Sequence, residues 1–163
     1  MEYDVIIVGG GPAGSTAATV LAEHKCKILV VDKHTFPREK PCGGGLSTRV
    51  WKHFPYVEQY LDSICYGAIT HSSTRKYSFT INREKPMLGM VRRSVFDKHL
   101  LDYAEQTGAE VRFGAEVIDV QRNNTGVDVQ LNTDETLSAP LILGCDGMRS
   151  IVAEKTGLNK KIV

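Results

Sequence analysis

Six residues near the N-terminus have the types and spacing needed to hold a phosphate-bearing ligand. They are Gly9-Gly10-Gly11-Pro12-Ala13-Gly14, which fit the pattern G-x-G-x-x-G. Gly9 would permit a tight turn, Gly11 would let the backbone approach a pyrophosphate, and Gly14 would allow close packing of a helix on a strand. Asp32, followed by Lys33, lies eighteen residues past Gly14. A carboxylate there can accept hydrogen bonds from a ribose diol, so the pattern predicts a dinucleotide site.

The elements that must position these residues are predicted on both sides of the glycines. Tyr3–Val8 and Lys27–Val31 are short apolar runs typical of buried strands, and Pro12–His24 has the pattern of a helix. Strand, helix and strand in this order predict a parallel βαβ unit with a right-handed crossover. The alternative is a glycine-rich turn at the start of an ordinary α/β domain, but the spacing, the elements and the acidic residue together favour the dinucleotide site.

The rest of the chain does not continue in regular βα repetition. A polar segment after Asp32 leads to a helix predicted from about Leu46, which Pro55 should end or kink. Antiparallel strands are predicted within Tyr66–Arg92, followed by a helix over Ser94–Thr107 with Ser94 as its N-cap and Asp97 in a capping-box position. The last predicted strands are Glu110–Phe113, Val117–Gln121, Val127–Leu131 and Leu137–Leu143.

Composition excludes several classes of function. The net charge of +1 gives no argument for nucleic acid, and no apolar run reaches the roughly 20 residues of a membrane span. The four cysteines are widely spaced and the five histidines scattered, which argues against a zinc site or a redox dithiol, so we expect no metal. The N-terminus has no signal-peptide pattern. The expected location is the cytoplasm.

Three further stretches carry a resemblance to a known family. They are Lys40-Pro41-Cys42-Gly43-Gly44-Gly45-Leu46; Val91-Arg92-Arg93-Ser94-Val95-Phe96-Asp97; and Gly144-Cys145-Asp146-Gly147-Met148-Arg149-Ser150. They are similar to the C-G-G-G loop, the R-x-x-F-D pattern and the D-G-x-x-S motif of flavoproteins related to aromatic-ring hydroxylases, and most specifically to those of geranylgeranyl reductases. The resemblance implies an α/β fold: a Rossmann-like FAD-binding domain of the glutathione-reductase type with a short antiparallel β excursion from the substrate domain.

The resemblance also implies roles for individual residues. Cys42, Gly43 and Gly45 would lie against the isoalloxazine ring, where side chains on the glycines would collide with it. Arg93 would lie near the flavin end of FAD, and a backbone group of Val117 would contact the adenine. Asp146 and Gly147, in the D-G-x-x-S motif, would shape the cofactor site. Cys42 is the candidate catalytic residue, and its thiol could donate a proton, tune the flavin or only pack.

Each stretch also has a purely structural alternative. The glycines could form a flexible linker, although Cys and Pro are unusual in flexible spacers. Arg93 could be a solvated surface arginine. The D-G segment could be a strand-to-helix turn capped by Asp146 or Ser150.

The implied function is that of an FAD-dependent oxidoreductase. It would reduce a C=C bond of a geranylgeranyl or other prenyl chain on a lipid or pigment precursor, by hydride transfer from reduced flavin. The substrate would be a prenylated lipid or a prenyl diphosphate, the reductant NADPH or a ferredoxin-like donor, and peripheral membrane contact is compatible with such a substrate. The alternatives are an aromatic monooxygenase or halogenase-like enzyme, and a nucleotide-binding or interaction module without turnover.

Family members are considerably longer than this chain. Residues 1–163 are expected to form the N-terminal portion of the FAD-binding domain, with residues 62–92 contributing strands to a substrate-domain sheet. The family's later G-D motif and the remainder of that sheet are expected to be absent, since nothing after Asn159 can supply them. This predicts weak retention of FAD by the chain alone.

Overall fold

The computed structural model describes residues 1–158. The expectation about the segment after Asn159 therefore lies outside the described residues. The chain forms two compact units. The first unit contains Met1–Arg38 and the chain from Asp97 onward, and the second contains Glu39–Phe96.

Twelve strands, four α-helices and one 3-10 helix are described within residues 1–158. In chain order they are β1 (Val5–Val8), α1 (Pro12–Glu23), β2 (Ile28–Asp32), β3 (Gly45–Ser47), α2 (Thr48–His53), the 3-10 helix (Pro55–Tyr60), β4 (Ser63–Cys65), β5 (Gly67–His71), β6 (Ser78–Asn82), β7 (Leu88–Met90), α3 (Arg93–Gln106), β8 (Glu110–Phe113), β9 (Val117–Arg122), β10 (Val127–Leu131), β11 (Thr136–Ala139), β12 (Leu141–Gly144) and α4 (Ile151–Lys155). None of the helices described is both long and apolar enough for a membrane span.

The first unit is built on a parallel sheet in the order β12-β1-β2-β8. All residues of β1 and β2 are buried, as expected for strands covered on both faces. Val5 is opposite Ile28 in the register, and Val8 is opposite Val31. The predicted βαβ unit is therefore confirmed, with both strands parallel.

The two faces of this sheet pack against different layers. Alternate residues such as Ile7 and Val30 join α1 and α3 in one apolar cluster, which includes Ala18 and Leu101. The residues between them, such as Ile6, face a second cluster formed largely by β9, β10 and β11. Successive side chains of a strand point to opposite faces, so one apolar run supplies both cores.

The C-terminal strand prediction, Leu137–Leu143, is wrong in one respect: the segment is two strands. β11 pairs antiparallel with β10, whereas β12 pairs parallel with β1. Pro140 lies between the two strands and lacks the N–H that a continuous ladder would need. A single apolar run thus passes from one sheet to the other.

The second unit contains the segment predicted as an antiparallel excursion. β3, β7 and β4 form one antiparallel sheet in that order, and β5 and β6 form a separate hairpin. The helix expected from about Leu46 begins at Thr48 instead, because Leu46 pairs with Gly89 in a strand. Pro55 follows the end of α2, as predicted, and starts the 3-10 helix.

The predicted cap of α3 is also wrong. The Arg92 carbonyl accepts hydrogen bonds from the N–H groups of Val95 and Phe96, and the helix begins at Arg93. Ser94 is therefore inside the first turn, two residues too late to be the N-cap.

Candidate cofactor site

The glycine loop of the first unit is fixed by contacts that exclude side chains at two positions. A Cβ on Gly9 would lie 2.4 Å from the carbonyl oxygen of Cys145, and Gly9 has a φ of +103°. A Cβ on Gly14 would lie 1.9 Å from the Gly9 carbonyl oxygen. Both distances are far below van der Waals contact, so these two glycines are required by the fold of the loop itself.

Gly11 differs from Gly9 and Gly14, the other two glycines of the G-x-G-x-x-G pattern. It is the N-cap of α1, with a φ of −72° that any residue can adopt. The nearest atom to a Cβ at this position is Arg38 Nη2, at 3.6 Å, an ordinary contact distance. The protein therefore does not require glycine here, whereas a ligand that approaches the backbone would.

Helix α1 is suited to an anion at this end. Its first turn contains Pro12 and no acidic residue. Pro12 has no N–H to offer, but the following residues, Ala13 and Gly14, have amide groups in the first helical turn, where N–H groups lack intrahelical partners. The partial positive charge of a helix N-terminus attracts phosphate.

Asp32 organises this loop. Its side chain is buried, with Oδ2 accepting a hydrogen bond from the Gly10 N–H at 2.7 Å and Oδ1 accepting one from the His34 N–H at 2.8 Å. The ring Nδ1 of His34 also lies 3.2 Å from Oδ1. Oδ2 has a second lone pair and is the oxygen that stays open to the predicted contact with a ribose. Lys33 is exposed and forms an ion pair with Glu116, with Nζ 3.2 Å from Oε1.

The D-G segment lies beside the glycine loop, since the Asp146 nitrogen is 2.9 Å from the Cβ position of Gly9. Asp146 Oδ2 accepts a hydrogen bond from the Val152 N–H, and Ser150 Oγ accepts one from the Ala153 N–H. The segment therefore does cap α4, as the structural alternative required. Asp146 Oδ1 is nevertheless buried without a hydrogen-bond partner in the described residues, so capping does not use the whole carboxylate.

The thiol beside Asp146 is not activated. Burial, together with the neighbouring negative charge of Asp146, raises the pKa of Cys145. Cys145 is therefore a neutral thiol at physiological pH, which matches a packing role.

Arg38 is a residue that the sequence prediction missed. Its guanidinium lies next to Gly11, and its Nε and Nη1 atoms are buried without hydrogen-bond partners in the described residues. Buried donors without acceptors, next to an unobstructed glycine and the N-terminus of α1, fit the diphosphate of FAD. The only signal in the sequence is an arginine in the polar segment after Asp32, which is too common to single out.

In the second unit, the three consecutive glycines have unequal roles. Gly44 has a φ of +69°, and a Cβ there would lie 2.1 Å from the Val91 carbonyl oxygen. Among the described residues, Gly43 has no atom within 4 Å of its Cβ position, and Gly45 has only Leu88 Cδ1, at 4.0 Å. The fold of the unit explains Gly44 alone.

Cys42 and Arg93 belong to the same unit. Cys42 is exposed, and its Sγ accepts a hydrogen bond from the Gly44 N–H at 3.4 Å. Arg93 is half-buried and is the first residue of α3. The loop is held to the segment before α3 by a hydrogen bond of 2.9 Å from the Val91 N–H to the Gly44 carbonyl.

Val117 and Gly147, the remaining predicted site residues, lie in the first unit. The Val117 side chain is buried in the apolar core below β9, so only its backbone is available to a ligand. Gly147 has a φ of +84°, and no atom in the described part of the chain lies within 4 Å of its Cβ position. The first unit thus brings together the glycine loop, Asp32, Arg38 and the D-G segment.

Two curated relatives cover nearly the whole chain. Digeranylgeranylglycerophospholipid reductase 1 of Methanosphaera stadtmanae is 32% identical over 98% of this chain and 41% of its own length. Rifampicin monooxygenase of Streptomyces venezuelae is 29% identical over 96% of this chain and 34% of its own length. The chain therefore spans well under half the length of these relatives.

A solved structure matches the fold. The crystal structure of a geranylgeranyl bacteriochlorophyll reductase-like protein from Thermoplasma acidophilum aligns with a TM-score of 0.75 and 28% identity, over 86% of this chain and 38% of that one. The family described as FAD binding domain matches residues 2–162. Because this match covers nearly the whole chain, the chain belongs to the FAD binding domain family.

Proposed function

We propose that this chain is the FAD-binding part of an oxidoreductase that reduces C=C bonds in a geranylgeranyl or other prenyl chain. The substrate would be a prenylated lipid or a prenyl diphosphate, and the electron donor NADPH or a ferredoxin-like protein. The domain would be of the glutathione-reductase type, with residues 62–92 contributing strands to a substrate-domain sheet. Bound FAD would supply the hydride, while the chain binds and orients the reactants.

The residues of the first unit would hold the two phosphates and the adenosine. Gly9, Gly11 and Gly14 would shape the phosphate loop, with Pro12 and Ala13 beginning the helix beneath it. The other contacts in this unit would come from Asp32 and Lys33 at the ribose, the Val117 backbone at the adenine, and the segment Asp146-Gly147 beside the loop.

The residues of the second unit would face the flavin. Cys42, Gly43 and Gly45 would lie against the ring, and Arg93 near the same end of the cofactor. Peripheral contact with a membrane would bring a lipid substrate within reach.

The observation that carries this proposal is the open space at two of the three loop glycines. Since no atom of the described residues comes closer than 4.0 Å to a Cβ at Gly43 or Gly45, the fold alone gives no reason for their lack of side chains. A planar ring lying on the backbone supplies that reason. The similarity to a digeranylgeranylglycerophospholipid reductase and to a geranylgeranyl bacteriochlorophyll reductase-like protein supports reduction of a prenyl chain as the reaction of such a ring.

The test is anaerobic. FAD is added to the protein and reduced with dithionite, and a prenyl diphosphate or a geranylgeranylated lipid is then mixed in while the flavin absorbance is followed. Reoxidation of the flavin without oxygen, with saturated prenyl product by mass spectrometry, is the expected result. A flavin that binds but stays reduced until oxygen is admitted would contradict the proposal.

That second outcome corresponds to another candidate function. The similarity to rifampicin monooxygenase favours an FAD-dependent monooxygenase as the runner-up. Its mark would be oxygen consumption and a hydroxylated product, with an aromatic compound rather than a prenyl chain as substrate.

Cys42→Ala separates the possible roles of the thiol in the same assay. If Cys42 donates the proton, the variant binds FAD normally and its anaerobic reoxidation slows by about 10²-fold or more. Cys65→Ala in β4 is the matched control and should behave as the unaltered protein. Equal rates for both variants would assign Cys42 a packing role.

A further inference from the structure

We propose that the hairpin of β5 and β6 is a membrane-docking surface and that it selects bilayers containing anionic lipid. The inference rests on the proposed function in one respect, since a prenylated lipid substrate would lie in a membrane. It assigns the contact to one face of one hairpin and to one class of lipid headgroup.

This face of the hairpin carries a row of large apolar side chains. Tyr77, Phe79 and Ile81 are two residues apart along the chain, so their side chains point to the same face. The Tyr77 carbonyl accepts a hydrogen bond from the Ser72 N–H at 2.9 Å, which continues the pairing of the two strands to this residue. The exposed fraction rises from 38% at Ile81 through 64% at Phe79 to 78% at Tyr77. The row is therefore least covered next to the turn.

The turn that closes the hairpin places two cations beside this row. Arg75 and Lys76 directly precede Tyr77, and both are exposed. The turn is ordered by hydrogen bonds from the Arg75 N–H to the Ser72 carbonyl, at 2.8 Å, and from the Tyr77 N–H to Ser72 Oγ, at 3.3 Å. The backbone of both cations is thus fixed at the most exposed end of the apolar row.

The charge of the hairpin indicates its partner. Residues 66–86 contain four basic residues and one acidic residue, a net charge of +3 in a chain whose total is +1. Within residues 1–158, no ion pair involves any of the four, which are Arg75, Lys76, Arg83 and Lys85. A second copy of the chain would bring like charges together on this surface. The headgroups of anionic lipids attract such clusters of cations.

The side chains of the row fit the interface of a bilayer. Tyrosine is enriched at the level of the headgroups, which suits Tyr77 between the cations and the more apolar side chains. Phe79 and Ile81 would bury their surface at the acyl boundary, as the apolar face of an interfacial segment does. The larger sheet expected for residues 62–92 would add strands at the edges of the hairpin, so it leaves a face of the hairpin available.

The test is binding to vesicles by co-sedimentation, without FAD and without substrate. Vesicles of phosphatidylcholine alone are compared with vesicles of phosphatidylcholine mixed with phosphatidylglycerol, at low and at high salt. The hairpin variants are the double substitution Arg75→Gln/Lys76→Gln and the single substitution Phe79→Ser. All three positions are exposed, and thermal melts verify that each variant folds.

Two control variants in the first unit match these substitutions. Lys25→Gln/Lys27→Gln makes the same change in charge at two exposed positions between α1 and β2. Ile118→Ser removes an exposed apolar side chain from a strand, β9.

We expect the unaltered chain to bind the vesicles with phosphatidylglycerol at least about tenfold more tightly than phosphatidylcholine alone at low salt. Arg75→Gln/Lys76→Gln should weaken binding to the anionic vesicles at least about tenfold at low salt. This effect should shrink at high salt, because salt screens exposed charges. Phe79→Ser should weaken binding at least about threefold at both salt concentrations, since burial of apolar surface is not screened. Both controls should bind as the unaltered chain.

Hairpin variants that bind the anionic vesicles as tightly as their controls would overturn the inference. An unaltered chain that binds neither kind of vesicle would also overturn it, even if that chain turned over a soluble prenyl diphosphate. A dimer in gel filtration that Phe79→Ser abolishes, with no vesicle binding, would assign the face to a second copy of the chain instead. The proposed function fails separately: vesicle binding that depends on the hairpin, with no anaerobic reoxidation of flavin, would contradict that function and leave the membrane contact standing.

Discussion

At the scale of single residues, the glycines of the two loops divide into those the protein needs and those it does not. A Cβ added to Gly9, Gly14 or Gly44 would lie within 2.5 Å of a backbone oxygen. At the Cβ positions of Gly11, Gly43 and Gly45, no atom of residues 1–158 comes closer than 3.6 Å. Only the glycines of the second group are evidence for a ligand. The sequence alone does not distinguish them from the glycines that the fold requires.

Alanine substitutions should separate the two groups. Gly14→Ala should destabilise the protein by about 1–3 kcal/mol or more, because its Cβ meets the Gly9 carbonyl. Gly11→Ala should unfold at nearly the same urea concentration as the unaltered chain and bind FAD at least about tenfold more weakly. Urea unfolding and fluorescence titration with FAD provide the two measurements.

A Gly11→Ala protein that binds FAD with unchanged affinity would show that the ligand does not come close to this backbone. Loss of stability in Gly11→Ala comparable to that in Gly14→Ala would show that the loop is tighter than its Cβ distances indicate.

The glycine loop and Asp32 could be recognised from the sequence because the backbone geometry of such a loop requires glycine at fixed intervals. The sequence did not predict Arg38, whose significance comes from a partner 59 positions away, Asp97. Contacts between distant segments leave no periodic trace in one sequence. Asp97 itself was assigned to a cap because its local spacing fitted one.

At the scale of elements, the strand and helix types were predicted from apolar periodicity, whereas their ends were set by contacts. β1 begins at Val5, two residues later than predicted, and β2 begins and ends one residue later than predicted, at Ile28 and Asp32. Leu46 joined a strand because its partner, Gly89, is 43 positions further along the chain. Local helix propensity is weak against such pairing.

A hydrogen bond that bridges the parallel sheet gives the stability a dependence on pH. The Tyr3 hydroxyl, just before β1, donates to Glu110 Oε2 in β8 at 2.7 Å. Burial, with a smaller contribution from this bond to Glu110, raises the pKa of Tyr3 from 10.0 to about 12. The neutral phenol is thus favoured in the folded state.

Tyr3→Phe should therefore cost about 0.5–1.5 kcal/mol near neutral pH, and this difference should shrink as pH rises. The contribution of Tyr3 is complete below pH 10, where the unfolded tyrosine is also neutral, and is lost toward pH 12 as the folded one ionises. Urea unfolding of both proteins at pH 8, 9, 10 and 11 measures it. A difference that grows with pH over this range would contradict the assignment.

At the scale of the whole molecule, the two units differ in how much of their strand surface is buried. Every residue of β1 and β2 is buried, whereas every residue of β6 and four of the five in β5 are exposed. The exposed side chains in and next to this hairpin include large apolar ones: Ile69 in β5, Phe79 in β6 and Tyr77 just before β6. Exposed apolar surface of this kind marks contact sites, in keeping with the proposal that residues 62–92 contribute to a larger sheet.

Hydrogen exchange should reveal this difference in the chain. Amides in β5 and β6 should exchange at least about tenfold faster than those of β1 and β2, since a two-stranded hairpin is marginally stable by itself. Mass spectrometry of peptides covering residues 67–82 and 5–32 would measure it. Similar protection in both would indicate that the hairpin is covered in solution.

Pro140 has a consequence for how this domain tolerates length changes. The chain leaves the antiparallel sheet at Ala139 and enters the parallel one at Leu141, opposite Val5. From there the pairing of Val8 with Gly144 sets where Asp146 meets the glycine loop. One residue inserted at this crossing would shift the D-G segment by about 3.3 Å along the strand and exchange the faces of β12. The junction between the two sheets therefore also sets the position of the D-G segment relative to the glycine loop.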